Sequence, residues 1–270
     1  GRRHGHGFEN NNDRNEVGVM ATGLVNPYAV AGENTRYRDA VLADNPMSLW
    51  MLDEPYGDNV AVDQGNSPSD GTYTGALATS STQRGSRTIF GLDAIGNATT
   101  GVVGGYVWCP INASNQASLN QSYNGLRSTF EFLLHLDAGA TTQANYLMYA
   151  WTPWYIQFYN NRLESKWSGG TGSLPYNSAV GALSTGTDYH VALMAIGYSA
   201  QTQWQFYVNG VALPRVLYSA GWQGMSVQNK VLIGGSAYAG TGLAGAIAGV
   251  ALYDHLLGAS VIAAHYNALL

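Results

Sequence analysis

Five carboxylates, Asp53, Glu54, Asp58, Asp63 and Asp70, crowd one stretch of a 270-residue chain in which charged residues make up only 11%, against roughly 25% in an average soluble protein. Oxygen-rich loops of this kind suit calcium, which takes six to eight hard oxygen ligands. Asp53, Asp58 and Asp63 are the candidate ligands. The same residue type serves glycoside hydrolysis, which needs two carboxyl groups facing each other across a cleft. Outside this stretch the candidates for such a pair are Glu131, in TFEFLLHL, and Glu164, in NRLESKW, one acid per strand-like segment. General acid and base work needs both partners, so these residues point away from an enzyme. No G-x-S-x-G elbow is present, Cys109 sits in the apolar setting GGYVWCPI of an inert buried thiol, and the histidines lack the i, i+4 spacing of a helical zinc pair. His190 and His265 read as structural residues.

Aromatic residues offer a second chemistry. WTPWYIQFYNN gathers Trp151, Trp154, Tyr155, Phe158 and Tyr159, and Trp167, Tyr176 and Trp222 follow. Sugar rings stack on aromatic faces while Asn and Gln exchange hydrogen bonds with hydroxyls. Trp151, Trp154, Tyr155, Trp167 and Trp222 are therefore the candidate carbohydrate-binding residues. Core packing competes with this reading, because alternate residues of YIQFY must face inward in a strand.

The elements that would position these residues are mostly strands. TFEFLLHL sets Phe130, Phe132, Leu134 and Leu136 on one face and Glu131, Leu133 and His135 on the other, the period of a strand packed on one side. YHVALMAI has the same character, KVLIGG and AGAIAGVALYD add two more strands, and Asn209-Gly210 supplies the two-residue turn of a hairpin in WQFYVNGVALPRVLY. A short helix is expected over TRYRDAVLADNP, capped by Thr35 and ended before Pro46, and another in LLGASVIAAHYNALL. Short strands parted by Gly, Asn, Ser and Pro turns imply a sandwich or barrel. Residues 1 to about 34 are polar and Asn/Gly-rich, with no strand or helix period. We expect an arm and short helix over 1–45, serving as an anchoring segment, and one domain over 46–270. A net charge of −5 with only two lysines disfavours nucleic acid, and no run of 18 apolar residues is present to insert in a membrane. The polar start lacks the apolar segment of a secretory leader.

Six segments in order carry a family resemblance. YRDAVLADNPMSLWMLDE, AVDQGNSPSDGTYTG, TFEFLLHLDA, DYHVAL, QFYVNG and GLAGAIAGVALYDHLLGASVIAAHY together resemble laminin-G-like, concanavalin A-like domains. The resemblance implies an all-β, two-sheet antiparallel jelly-roll sandwich with an irregular N-terminal arm and a short helix at each end of the domain. Some members of that family bind a calcium ion between the opening loop and an acidic residue of the last strand, where this chain has Ala248 and Gly249. The opening segment is similar to domains of phage tail and head proteins. It implies a non-enzymatic virion structural protein, a minor tail or head-decoration protein displayed on the particle surface, that joins other virion proteins or neighbouring copies through its arm and touches host surface glycans. The alternative is a free carbohydrate-binding module or glycan-processing enzyme of bacterial origin. The two readings differ in what the arm should do.

Overall fold

The computed structural model describes residues 1, 32–75, 84–97, 105–119, 127–138, 140, 145–150, 154–167, 174–177, 182–198, 201–214, 229–235 and 242–270. The chain divides into two units, Gly1–Ala31 and Gly32–Leu270. The second unit is built on two antiparallel eight-stranded sheets.

Sheet I contains β1 (Ser48–Trp50), β4 (Arg84–Ile89), β5 (Leu92–Asn97), β7 (Arg127–Leu136), β12 (Asp188–Tyr198), β13 (Gln201–Val208), β14 (Val211–Ala212) and β16 (Gly245–Tyr253). Its order is β14-β13-β12-β7-β16-β5-β4, with β1 also paired to β16. Sheet II contains β2 (Val60–Ala61), β3 (Gly71–Thr74), β6 (Tyr106–Pro110), β8 (Asn145–Tyr149), β9 (Trp154–Tyr159), β10 (Arg162–Trp167), β11 (Leu174–Asn177) and β15 (Lys230–Ile233), ordered β11-β10-β9-β8-β15-β6-β3-β2. Alternation does the sorting. Phe130, Phe132, Leu134 and Leu136 of β7 join Val191, Phe206, Ile247 and Leu252 of sheet I in one buried core with Val107, Leu147, Ile156, Leu163 and Ile233 of sheet II. The sandwich expected from the strand periods is the sandwich observed, and the turn at Asn209-Gly210 has positive φ at both residues (50° and 75°).

The first and last helices among the described residues cover the other face of sheet I. Helix α1 spans Gly32–Ala43, α2 Ala113–Leu119 and α3 Ala259–Asn267. Helix α1 begins at Gly32 rather than after Thr35, so Thr35 lies inside it, and it ends where Asn45 turns left-handed (φ 53°) before Pro46. A second core holds Tyr37 and Val41 of α1, Ile262 of α3, and Leu49, Leu133, Ala192, Tyr207 and Ala248 of sheet I. Helix α1 thus packs with the sandwich in the unit Gly32–Leu270. Helix α2 has no counterpart in the sequence reading. Asn112 caps it, accepting the Asn115 backbone N–H at 2.9 Å.

Gly249 shows why one position excludes a side chain. It has φ 53° within a register shift between Ala248 and Ala251, and a Cβ there would lie 2.8 Å from Tyr37 Cε1. The glycine lets α1 approach the sheet backbone. No helix among the described residues is long and apolar enough to cross a membrane.

Candidate functional site

Glu131 is the best-held acid among the described residues, and it faces the helices. On β7 it points away from the inter-sheet core, fully buried under α1 and α3. One oxygen accepts hydrogen bonds from Tyr37 Oη (3.2 Å) and His190 Nε2 (2.7 Å), and His265 Nδ1 lies 3.0 Å from the other. The opposite nitrogen of His265 meets Asp44 Oδ2 at 2.9 Å. An imidazole with a carboxylate at each nitrogen is a double donor, hence charged. Burial alone would raise the Glu131 carboxyl, but the charge and hydrogen bonds of His190 and His265 overcome it and hold the group at about 2. For His265 burial works the other way, and Glu131 with Asp44 pushes the imidazole up to about 9. Burial, with Glu131 beside it, raises the Tyr37 phenol well above its ordinary value. This buried network joins two helices to a sheet and gives a substrate no access.

The acidic stretch is likewise turned inward on its own backbone. Asp63 accepts the N–H groups of Leu49 (2.8 Å), Gly65 (2.9 Å) and Ser69 (2.8 Å), and Asp70 accepts that of Asp63 (2.9 Å). Glu54 accepts the Val62 N–H at 2.6 Å and the Tyr73 hydroxyl. Burial raises the Asp63 carboxyl above its ordinary value, against the pull of those three N–H groups. Burial also raises Asp53, and the Asp58 backbone N–H closes a turn onto Pro55. No group of three or more His, Cys, Asp or Glu able to hold a metal occurs among the described residues. Ala248 is fully buried in the helix-covered core.

The outer face of sheet II has a different character. Tyr149, Tyr155 and Leu232 are buried there, and half-buried Tyr106, Trp108 and Tyr146 pack against them. The backbone register lines up Thr72, Trp108, Leu232, Tyr149, Tyr155 and Lys166 across six strands. A register shift in β8 between Tyr146 and Met148 brings Tyr146 and Tyr149, three residues apart, to the same side. The rings of Tyr146 meet Tyr149 and Tyr155 edge-on at 5.4 and 5.0 Å, and Tyr149 stacks on Tyr155 at 6.2 Å. Burial, then Tyr146, raises the Tyr155 phenol. In the next row Gln157 Nε2 donates to Glu164 (2.6 Å), which also accepts from Arg162 Nε (2.9 Å).

Of the residues expected to bind carbohydrate, Tyr155 is part of this face. Trp154 and Trp167 are register partners across β9 and β10, while Trp151 and Trp222 lie outside the described residues. Sequence reasoning passed over Tyr106, Trp108, Tyr146, Tyr149 and Gln157. Trp108 was visible as the ring one residue before Cys109, but the β8 bulge breaks the two-residue period that would have paired Tyr146 with Tyr149. Glu131 and Glu164, the two acids weighed for hydrolysis, stand on opposite outer faces of the sandwich. Sheets pack about 10 Å apart, so these two acids cannot flank one glycosidic bond.

The family model for the concanavalin A-like lectin/glucanases superfamily matches residues 111–263, more than half of the chain. The chain belongs to this superfamily. No curated protein matches this superfamily member in sequence. Among solved structures it is similar to the binding domain of botulinum neurotoxin DC in complex with rat synaptotagmin II, with TM-score 0.61 and 12% identity over 85% of this chain and 52% of that one. Botulinum neurotoxin type C, whose cell entry depends on interaction with two ganglioside molecules, gives 0.57 and 11% over 86% and 53%. Trypanosoma rangeli sialidase in complex with the inhibitor DANA gives 0.53 and 14% over 81% and 32%. The lectin-like chain therefore spans about a third to a half of these larger proteins, and the likeness is one of fold.

Proposed function

We propose that this protein is a non-enzymatic virion structural protein, a minor tail or head-decoration protein, whose sandwich recognises host surface glycans through the outer face of sheet II. The observation that carries the glycan reading is the aromatic cluster of that face, with Tyr149, Tyr155 and Leu232 as floor and Tyr106, Trp108 and Tyr146 as half-buried flank. The corresponding face of sheet I is taken up by α1 and α3. Rings that need little further ordering are what stacking on a sugar requires. The ganglioside dependence of botulinum neurotoxin type C and the inhibitor-bound sialidase support it as examples of similar folds in proteins that meet sugars. The non-enzymatic reading is supported by Glu164, the one carboxylate on the described strands of sheet II, because most glycoside hydrolysis uses two. The virion setting rests on the resemblance of the opening segment YRDAVLADNPMSLWMLDE to phage tail and head domains.

The test is a glycan array probed with the full chain, followed by calorimetry on each hit. Trp108→Ala should weaken binding about tenfold, the ~1.5 kcal/mol that an aromatic face contributes, with the melting temperature recorded to show that the fold persists. Unchanged affinity in that variant, or product release from a bound glycan, would overturn the reading.

A further inference from the structure

We infer that the ligand of the sheet II face is an oligosaccharide lying along β6, its neighbouring sugar units stacked on Tyr106 and Trp108 and hydrogen-bonded to Thr74 and Thr72 of β3; this rests on the glycan reading above. Exposure within the aromatic cluster decides the place. Tyr149 and Tyr155 are only 7% and 9% exposed, and the Tyr146 ring is turned edge-on to both. Tyr106 and Trp108 are half-buried on β6. A ligand arriving from solvent therefore meets the cluster at these two rings, on the side of β3.

Strand register pairs each of these rings with a hydroxyl. Thr72 stands opposite Trp108, and Thr74 opposite Tyr106. Alternation puts all four on the outer face, since the intervening Tyr73 and Val107 belong to the core between the sheets. Thr72 is exposed and Thr74 half-buried, and directly opposed residues hold their Cβ atoms about 5 Å apart. A sugar seated flat on either ring thus brings its edge hydroxyls over the neighbouring threonine. The Thr74 hydroxyl donates to the Thr72 carbonyl at 3.3 Å, which leaves its oxygen lone pairs to accept from a sugar. The two pairs of ring and hydroxyl follow one another along the strands. Two residues of strand separate them by roughly 7 Å, more than the width of one pyranose ring. Each pair then meets a different sugar unit, and the glycan runs parallel to β6 rather than across the strands.

The experiment uses the full chain and calorimetry on the hits of the glycan array, each titrated as monosaccharide, disaccharide and longer oligomers of the same sugar. The step from monosaccharide to disaccharide should raise affinity about tenfold, the worth of a second stacked ring. Tyr106→Ala should return the disaccharide to the affinity of the monosaccharide. Thr72→Val keeps the branched side chain that suits a strand and removes the hydroxyl. It should weaken the disaccharide about fivefold, one hydrogen bond, at unchanged melting temperature, and Thr72→Ser should restore the affinity. Should Thr72→Val fold poorly, the length series on the unaltered chain decides alone. Equal affinity for monosaccharide and disaccharide would overturn this inference, and so would a folded Thr72→Val variant that binds the disaccharide unchanged. Either result leaves the glycan reading standing where Trp108→Ala still weakens binding. Binding of no glycan at all would bring down the proposed function itself.

Discussion

The two buried ionisable groups under the helices set opposite limits on stability. His265 is held at about 9, above its ordinary 6.5, so its contribution is complete below 6.5 and is lost as pH rises through 9. Glu131 is held at about 2, below its ordinary 4.5, so its contribution is complete above 4.5 and is lost as pH falls through 2. Melting temperature plotted against pH should therefore reach a plateau between about 4.5 and 6.5 and decline on both sides. His265→Gln should flatten the alkaline decline, and a variant that keeps the full decline would refute the assignment. Glu131→Gln removes one partner of a fully buried pair, and should cost about 3–5 kcal/mol, read as a lower urea midpoint at unchanged slope. Asp63 leads to a different expectation. Three backbone N–H groups already occupy its oxygens, so adding calcium or a chelator should leave the melting temperature unchanged, whereas an ion bound only to the native state would raise it.

Helix α1 shows where sequence and structure divide the chain differently. Its polar neighbours grouped it with the arm, yet Tyr37 and Val41 are fully buried against sheet I and Asp44 bonds His265. Removing residues 1–31 should leave the urea midpoint of the sandwich within experimental error. Removing 1–45 exposes two large apolar side chains' worth of core, about 1.5–3 kcal/mol each, and leaves His265 without Asp44 and Glu131 without Tyr37. Such a loss rivals the 5–15 kcal/mol that holds a typical domain together, so the shorter chain should be unfolded or aggregated by circular dichroism and light scattering. β7 and β12 were legible because alternation is local, and β15 and β16 fall on segments also read as strands. The Asn209-Gly210 turn was legible for the same reason, while Asn160-Asn161, also left-handed at both residues (φ 50° and 58°), was an equal signal passed over. The Glu131 network was not legible as such. Tyr37, Asp44, Glu131, His190 and His265 come from four distant segments, each part of the family resemblance, and only folding brings them to one place. The aromatic face was half legible, since Tyr155 was found and the bulge in β8 hid its neighbours.

Across the whole molecule the two outer faces divide the labour. Helices close one face with apolar packing and a buried ion pair, and the other sets half-buried Tyr106, Trp108 and Tyr146 around buried Tyr149 and Tyr155. The sandwich unit opens with α1, since Gly32 begins both the helix and the unit. Under the proposed function, recognition and attachment use different parts of the sequence, and removing one should leave the other. A chain of residues 32–270 retains every described residue of the aromatic face, so its glycan affinity should match the full chain within about twofold, well below the 1.4 kcal/mol of a tenfold change. Attachment should fail in the same chain, because residues 1–31 form a unit of their own and lack the apolar period to fold by themselves. Co-sedimentation of each form with particles lacking this protein separates the outcomes. The full chain should pellet and the shortened one stay in solution with its glycan binding intact. Equal pelleting of both would show that the sandwich, not the arm, holds the particle.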